Sequence, residues 1–142
     1  MKVSTDGIML GAWAQVVNKR HILDVGTGTG LLALMCKQRE PRAQVQAIDI
    51  EVDAVHQATA NVHASPWPEV RVEQADATSY QSDEPFDLII SNPPYFENSL
   101  KAQDKKRNFA RHSDSFELAD LIALWQRVGD KNSELAVILP TA

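Results

Sequence analysis

The stretch "LDVGTGTG", residues 23–30, decides how the rest of the chain is interpreted. It closes an apolar run and places three glycines at alternate positions directly before Leu31. Glycines permit a tight turn from a strand into a helix and let a ligand approach the backbone closely. The sequence therefore predicts a strand at 21–25, a glycine-rich turn and a helix at 31–39.

The same alternation of strand and helix continues along the chain. Short runs with strand character recur at 44–49, 70–73, 86–91 and 135–139, and segments with helical character at 6–16, 52–64 and 118–128. This rhythm is typical of a parallel sheet with helices on both of its faces. Crossovers between parallel strands are right-handed almost without exception, so we expect a doubly wound α/β sheet.

Composition limits the classes of protein that need to be considered. A chain of 142 residues with 44% hydrophobic and 23% charged residues matches one globular domain. A single cysteine excludes a disulfide framework and a thiolate metal site. No apolar run is long enough to span a membrane, and the N-terminal residues do not resemble a secretory signal, so we expect a cytoplasmic protein.

Charge is distributed unevenly. The net charge of −5 argues against a general affinity for nucleic acid. Residues 101–111, however, carry five Lys or Arg and one acidic residue. The sequence thus predicts a local basic patch on an acidic body.

Acidic residues stand at or near the ends of three successive predicted strands, where the ligands of such sheets bind. Asp24 lies two residues before Gly26, and a negative charge there favours a cationic ligand over a pyrophosphate. The spacing G-x-G-x-G also places Leu31 where a dinucleotide-binding turn would need glycine.

The other two acids have structural alternatives. Asp49, about twenty residues after the glycine turn, is placed to accept the hydroxyls of a ribose, but an acid there can also cap the next helix. Because Asp53 can serve as that cap, we expect Asp49 to remain free for the ribose. Asp76 is placed to bind an adenine amine, or is simply a surface carboxylate.

"LDVGTGTG", "AID" and "QADA" together resemble the first three motifs of the class I S-adenosylmethionine-dependent methyltransferases. The resemblance implies a Rossmann-like fold and S-adenosylmethionine as cofactor, with no metal. "KVSTDGIML" resembles the segment that closes over the cofactor in many members that methylate amines. The cofactor-binding residues implied by position are Thr5, Asp6, Asp24, Gly26, Thr27, Gly28, Gly30, Asp49, Ile50, Asp76, Ala77 and Asn92.

"SNPPYF", residues 91–96, follows the apolar run "FDLII" and resembles the signature of methyltransferases that act on a conjugated nitrogen. The side-chain carbonyl of Asn92 and the main-chain carbonyl of Pro93 would accept hydrogen bonds from the reacting NH₂ group, with Pro94 holding them rigid. Tyr95 would stack on the planar substrate, and Phe96 would extend that platform. The structural alternative is a plain turn.

"TDGIMLGAWA", "SNPPYF" and "RNFARHSDSFELADLI" widen the resemblance to bacterial tRNA adenine-N6 methyltransferases. It implies methylation of the N6 amine of an adenine beside the anticodon of valine tRNA, with the base flipped onto Tyr95. Phosphates next to this base would be contacted from the basic patch, unless that patch is a solvated loop. Its substrate-binding residues would be Lys105, Lys106, Arg107 and Arg111. No membrane and no obligate protein partner is implied.

Three alternatives stay open at this point. The same signature serves methylation of protein glutamine or of other nucleic-acid bases. The chain could also bind cofactor without catalysis, or be a nicotinamide-dependent oxidoreductase. Because the family fold has seven strands and the fifth closes this sequence, we expect residues 1–142 to be a single, incomplete domain without the C-terminal hairpin.

Overall fold

The computed structural model describes residues 16–92 and 117–137, which contain five strands and three helices. The strands are β1 (His21–Val25), β2 (Gln44–Asp49), β3 (Arg71–Gln74), β4 (Phe86–Ser91) and β5 (Gly129–Val137). The helices are α1 (Leu31–Arg39), α2 (Val52–His63) and α3 (Leu118–Val128).

The five strands form one parallel sheet in the order β3-β2-β1-β4-β5. Central β1 reads "HILDV", and its Ile22 and Leu23 are both fully buried. A strand covered on both faces needs consecutive apolar residues rather than alternation, which explains this sequence. The predicted parallel sheet is confirmed.

Each face of the sheet carries its own apolar core. One core joins Ile22 and Ile90 to Ala33 of α1 and Val62 of α2. The opposite core, which we call the α3-side core, includes Leu23 and Phe86 of the sheet and Leu121, Leu124 and Val128 of α3. Because α1 and α2 lie on one face and α3 on the other, the predicted doubly wound arrangement is also confirmed.

Most predicted boundaries agree with the structure, and the largest difference is in β5. This strand begins at Gly129, directly after α3, rather than at 135. Phe86 pairs with Gly129 and Leu88 with Glu134, so the register is irregular between them. The Ser133 hydroxyl bridges this irregularity, since it bonds to the Phe86 carbonyl and accepts from the Asp130 amide.

The other differences are small. β3 lies one residue later than predicted, and α2 ends one residue earlier, at His63. The predicted helix at 6–16, except Val16, and residues 138–139 of the predicted last strand lie outside the described residues. Within the described ranges, no helix is long and apolar enough to cross a membrane.

Candidate functional site

The topology creates a crevice beside the carboxyl end of β1. This strand pairs with β2 on one side and with β4 on the other, so the strand order reverses here. Val25 is in register with both Ile48 and Ser91. The next residues of the three strands are therefore Gly26, Asp49 and Asn92, which share one level at the place where such sheets bind ligands.

The three glycines of the turn share a positive φ, but Gly26 and Gly30 differ in their surroundings. Gly26, Gly28 and Gly30 have φ values of 71°, 57° and 86°, which side-chain-bearing residues rarely adopt. A Cβ atom on Gly30 would lie 3.3 Å from the Cβ atom of Ala58 in α2, whereas one on Gly26 would meet no atom of the described residues within 4 Å. Gly30 thus permits close packing of α2, and Gly26 faces a space that the described residues leave open to a ligand.

Asp24 is fully buried immediately behind this turn. Its Oδ2 atom accepts a hydrogen bond of 2.7 Å from the Thr27 hydroxyl, whereas Oδ1 has no hydrogen-bond partner among the described residues. Burial raises the pKa of Asp24 from 3.8 to about 7; the Thr27 hydroxyl and the Ala33 amide oppose this shift, and the nearby Asp49 charge adds to it. A cation reaching this site would pair with an otherwise poorly solvated carboxylate.

Asp49, the last residue of β2, is held by two backbone amides. Oδ2 accepts from the Gly28 amide at 3.0 Å, and Oδ1 accepts from the Glu51 amide at 2.9 Å. Asp49, which we expect to remain free for the ribose, thus already accepts one backbone amide at each oxygen, and neither bond is a side-chain cap of α2. Each carboxylate oxygen has a second acceptor position, so the ribose hydroxyls can still bind.

The bond between Asp49 and Gly28 is a feature that sequence reasoning missed. It joins the glycine turn to the end of β2 across a separation of 21 residues. The bond to Glu51, two residues on, is an Asx-turn, which the sequence could have indicated. Asp53 lies in the first turn of α2, where its charge suits the helix dipole, but the helix has no side-chain cap bond.

Asp76 follows β3 by two residues and is oriented by its own loop. Its Oδ1 atom accepts from both the amide and the hydroxyl of Thr78, at 2.9 Å and 2.7 Å. Both bonds go to one oxygen, so Oδ2 retains its lone pairs for a ligand. Ala77 is buried in the α3-side core, and Ile50, beside Asp49, is 39% exposed.

Asn92 is half-buried at the end of β4. The preceding Ser91 donates a hydrogen bond of 2.9 Å to the Val25 carbonyl, which ties the ends of β4 and β1 together. The described residues therefore bring together Asn92, the glycine turn and the three acids at one edge of the sheet. Among the described side chains, no group of His, Cys, Asp and Glu could hold a metal ion.

Several predicted site residues lie outside the described ranges. For the cofactor these are Thr5 and Asp6; for catalysis and substrate they are Pro93, Pro94, Tyr95, Phe96, Lys105, Lys106, Arg107 and Arg111.

Comparison with known sequences gives two consistent results. A family model described as "Methyltransferase small domain" matches residues 8–117. The "tRNA1(Val) (adenine(37)-N6)-methyltransferase" of Pseudoalteromonas translucida is 50% identical over 141 residues, which cover 99% of this chain and 61% of that protein. The protein of the same description from Phocaeicola vulgatus is also 50% identical, with 99% and 60% covered. The chain thus spans about three fifths of the length of these curated relatives.

Solved structures show the same fold. A protein described as an S-adenosylmethionine-dependent methyltransferase from Thiobacillus denitrificans, in complex with S-adenosyl-L-homocysteine, has a TM-score of 0.67 and 18% identity over 99% of this chain and 52% of its own. A protein from Geobacter sulfurreducens with the same description has a TM-score of 0.68 and 16% identity over 95% of this chain and 47% of its own. The observed sheet therefore matches the Rossmann-like fold of methyltransferases.

Proposed function

The chain belongs to the methyltransferase small domain family, and on that premise we propose that it transfers a methyl group from S-adenosylmethionine to the N6 amine of an adenine in tRNA. The nucleotide that we propose is adenine 37 of valine tRNA, the one named for relatives that are 50% identical. Such a substrate implies a cytoplasmic protein. The family assignment favours methyl transfer over the nicotinamide-dependent alternative.

The observation that carries the proposal is the set of three acids around the open side of the glycine turn. S-adenosylmethionine has an ammonium, a sulfonium, a ribose diol and an adenine amine, all of which favour carboxylate partners. Buried Asp24, with its unpartnered Oδ1 atom, suits a cationic group. Asp49 has acceptor positions left for the diol, and Asp76 has Oδ2 left for the amine. The residues that are present therefore fit this cofactor.

The cofactor would supply a methyl group that its sulfonium has already activated. The task of the protein is then to orient the accepting nitrogen, whose lone pair is delocalised into the adenine ring. Asn92, at the end of β4 beside Gly26, would accept a hydrogen bond from this nitrogen through its side-chain carbonyl. That bond would draw the lone pair out of conjugation and aim it at the methyl group.

We extend the proposal to residues outside the described ranges. The Pro93 carbonyl would be the second acceptor, Pro94 would hold it rigid, and Tyr95 and Phe96 would stack on the flipped base. Lys105, Lys106, Arg107 and Arg111 would contact the phosphates of the tRNA. Thr5 and Asp6 would close over the cofactor.

The test is transfer of labelled methyl from S-adenosylmethionine to an unmodified valine tRNA transcript. We expect methyl-adenine in the tRNA, and an Asn92→Ala variant should be slower by about 100-fold or more, as for the loss of one preorganised group that stabilises the transition state. Asn132→Ala, at an exposed position in the irregular first half of β5, is the matched control and should retain the wild-type rate.

Parallel reactions separate the alternatives. Transfer only to a glutamine-containing peptide, or only to adenine in DNA, would replace tRNA as the substrate. Cofactor binding without transfer to any acceptor would identify a binding module. Absence of cofactor binding in a calorimetric titration would overturn the proposal altogether.

A further inference from the structure

We infer that Arg127 of α3 is a positioning residue for recognition of the adenine half of the cofactor. The inference rests on the proposed function, because it concerns the same cofactor site. It assigns a role to a side chain that lies on the face of the sheet opposite α1 and α2 and that belongs to none of the recognised motifs.

Arg127 donates two hydrogen bonds to the loop that carries Asp76. The Arg127 Nε atom donates to the Tyr80 carbonyl at 3.0 Å, and Nη2 donates to the Ala77 carbonyl at 2.8 Å. These two acceptors belong to one loop but are 47 and 50 residues from Arg127 in sequence, respectively. A guanidinium group can hold two such carbonyls at once because its donors have a fixed, planar geometry.

The surroundings of this contact make it stiff. Ala77 and Val128, the neighbour of Arg127, are both buried in the α3-side core. The side chain of Arg127 is itself half-buried. A partly desolvated carbonyl that lost its donor would cost free energy, so the loop is held at the distance that the guanidinium sets.

Within the loop, the Asx-turn fixes the Asp76 side chain relative to its own backbone. Thr78 supplies both hydrogen bonds to Oδ1, and the Ser79 amide donates to the Asp76 carbonyl at 3.1 Å. These local bonds orient the carboxylate within the loop but do not fix the loop on the sheet. The Ala75 amide ties the start of the loop to β2 by donating to the Asp49 carbonyl at 3.0 Å, and Arg127 ties the part after Asp76 to α3.

This arrangement has a measurable consequence for ligand selectivity. The adenine amine would donate to Asp76 Oδ2, whereas hypoxanthine presents an oxygen at the same ring position, which a carboxylate repels. S-adenosylhomocysteine and S-inosylhomocysteine differ at that position, so the ratio of their dissociation constants reports how accurately Asp76 is placed. Loss of overall stability alone would weaken both ligands and leave the ratio unchanged.

The experiment is calorimetric titration of both ligands into wild type and Arg127→Met. We expect wild type to prefer the adenine ligand by at least about tenfold, since one charge-assisted hydrogen bond is at stake. In Arg127→Met the preference should fall to within about threefold, mainly through weaker binding of the adenine ligand. Arg71→Met removes an exposed arginine from edge strand β3 and should keep the wild-type ratio.

Two further variants complete the test. Asp76→Asn should lose the preference directly, which would show that the ratio reports this carboxylate. Arg127→Lys, with a single ammonium in place of the fork, should give an intermediate ratio and substitutes for Arg127→Met if circular dichroism shows that variant to be unfolded. A wild-type ratio in the folded Arg127 variants would overturn the inference. Failure of wild type to bind S-adenosylhomocysteine would instead overturn the proposed function, and the inference with it.

Discussion

Asp24 and Asp87 lie on the neighbouring strands β1 and β4 but belong to opposite edges of the sheet. Asp87, at the amino edge, accepts a hydrogen bond at each oxygen, from the Arg20 amide at 2.7 Å and the His21 amide at 3.0 Å. Asp24, toward the carboxyl edge, is fully buried, and one of its oxygens has no hydrogen-bond partner in the part of the chain that the structure describes. Asp87 therefore has a backbone partner at both oxygens, whereas Asp24 has a hydrogen-bond partner at only one of its oxygens among the described residues.

The difference separates an acid that completes backbone hydrogen bonding from one that we propose binds the cofactor. Asp87 satisfies two amides at the start of β1, which would otherwise lack acceptors in the sheet. Burial disfavours the ionised form of Asp24 and so raises its pKa to about 7. Carboxylates that are perturbed by burial and a nearby charge and that line a crevice are typical of functional sites. Under the proposed function, the amino edge of the sheet thus serves stability and the carboxyl edge serves ligand binding.

The largest expected effect is on cofactor affinity. At pH 8, Asp24→Asn should weaken binding of S-adenosylhomocysteine by about 10-fold to 100-fold, because a charge-assisted bond to its ammonium group is lost. Asp87→Asn should bind as wild type does. Since binding requires ionised Asp24, the affinity of wild type should also fall as the pH is lowered from 8 through 7. Calorimetric titration at several pH values measures this, and equal losses in both variants would remove the functional distinction between the two edges.

The second effect is on the free energy of unfolding. Asparagine should lower it at position 87, whereas at position 24 asparagine should raise it relative to wild type as the pH increases. Asp87→Asn should lower the free energy of unfolding by about 1–3 kcal/mol, because an amide NH₂ group would face a backbone donor. Between pH 3.8 and about 7, folded Asp24 holds a proton that the unfolded chain releases, so its contribution to stability declines as the pH rises through that window. Asp24→Asn lacks this decline and should gain stability relative to wild type from pH 5 to 8.

Urea unfolding of wild type and both variants at pH 5 and pH 8 measures this prediction. The difference between Asp24→Asn and wild type isolates one titrating group, since the other ionisable residues are common to both proteins. If the difference in unfolding free energy between Asp24→Asn and wild type did not grow between pH 5 and pH 8, the pKa of Asp24 would not be raised in the folded protein.

The sequence predicted the fold well because its signals are local. The apolar runs of β1, β2 and β4 and the glycine turn are continuous in sequence, so these three strands begin and end where predicted. The start of β5 was not predictable in the same way. It depends on the Ser133 hydroxyl reaching the Phe86 carbonyl, 47 residues away, and no local pattern in "GDKNS" indicates that contact.

The candidate site shows the same division. Strand ends predicted which acids share an edge, because parallel strands bring their carboxyl ends together. The pattern could not show that the Gly28 amide bonds to Asp49 or that Arg127 holds the loop after Asp76, since both contacts join distant segments. The place of Asp24 beside the glycine turn marked it as a candidate, but the sequence could not show that the residue is fully buried.

The smallest expected effect concerns two glycines at the carboxyl edge, Gly26 and Gly30. Alanine at either Gly26 or Gly30 must adopt a positive φ, which costs about 1–2 kcal/mol of folding free energy. Gly30→Ala should lose more stability than Gly26→Ala, because only its new Cβ atom presses on Ala58. Gly26→Ala should lose more cofactor affinity, because its Cβ atom enters the open space proposed for the ligand. Thermal unfolding and calorimetric titration of both variants test this reciprocal pattern. If one variant were worse in both measurements, packing and ligand binding would not be divided between the two glycines, and the contrast between structural and functional positions would not extend to single residues of this turn.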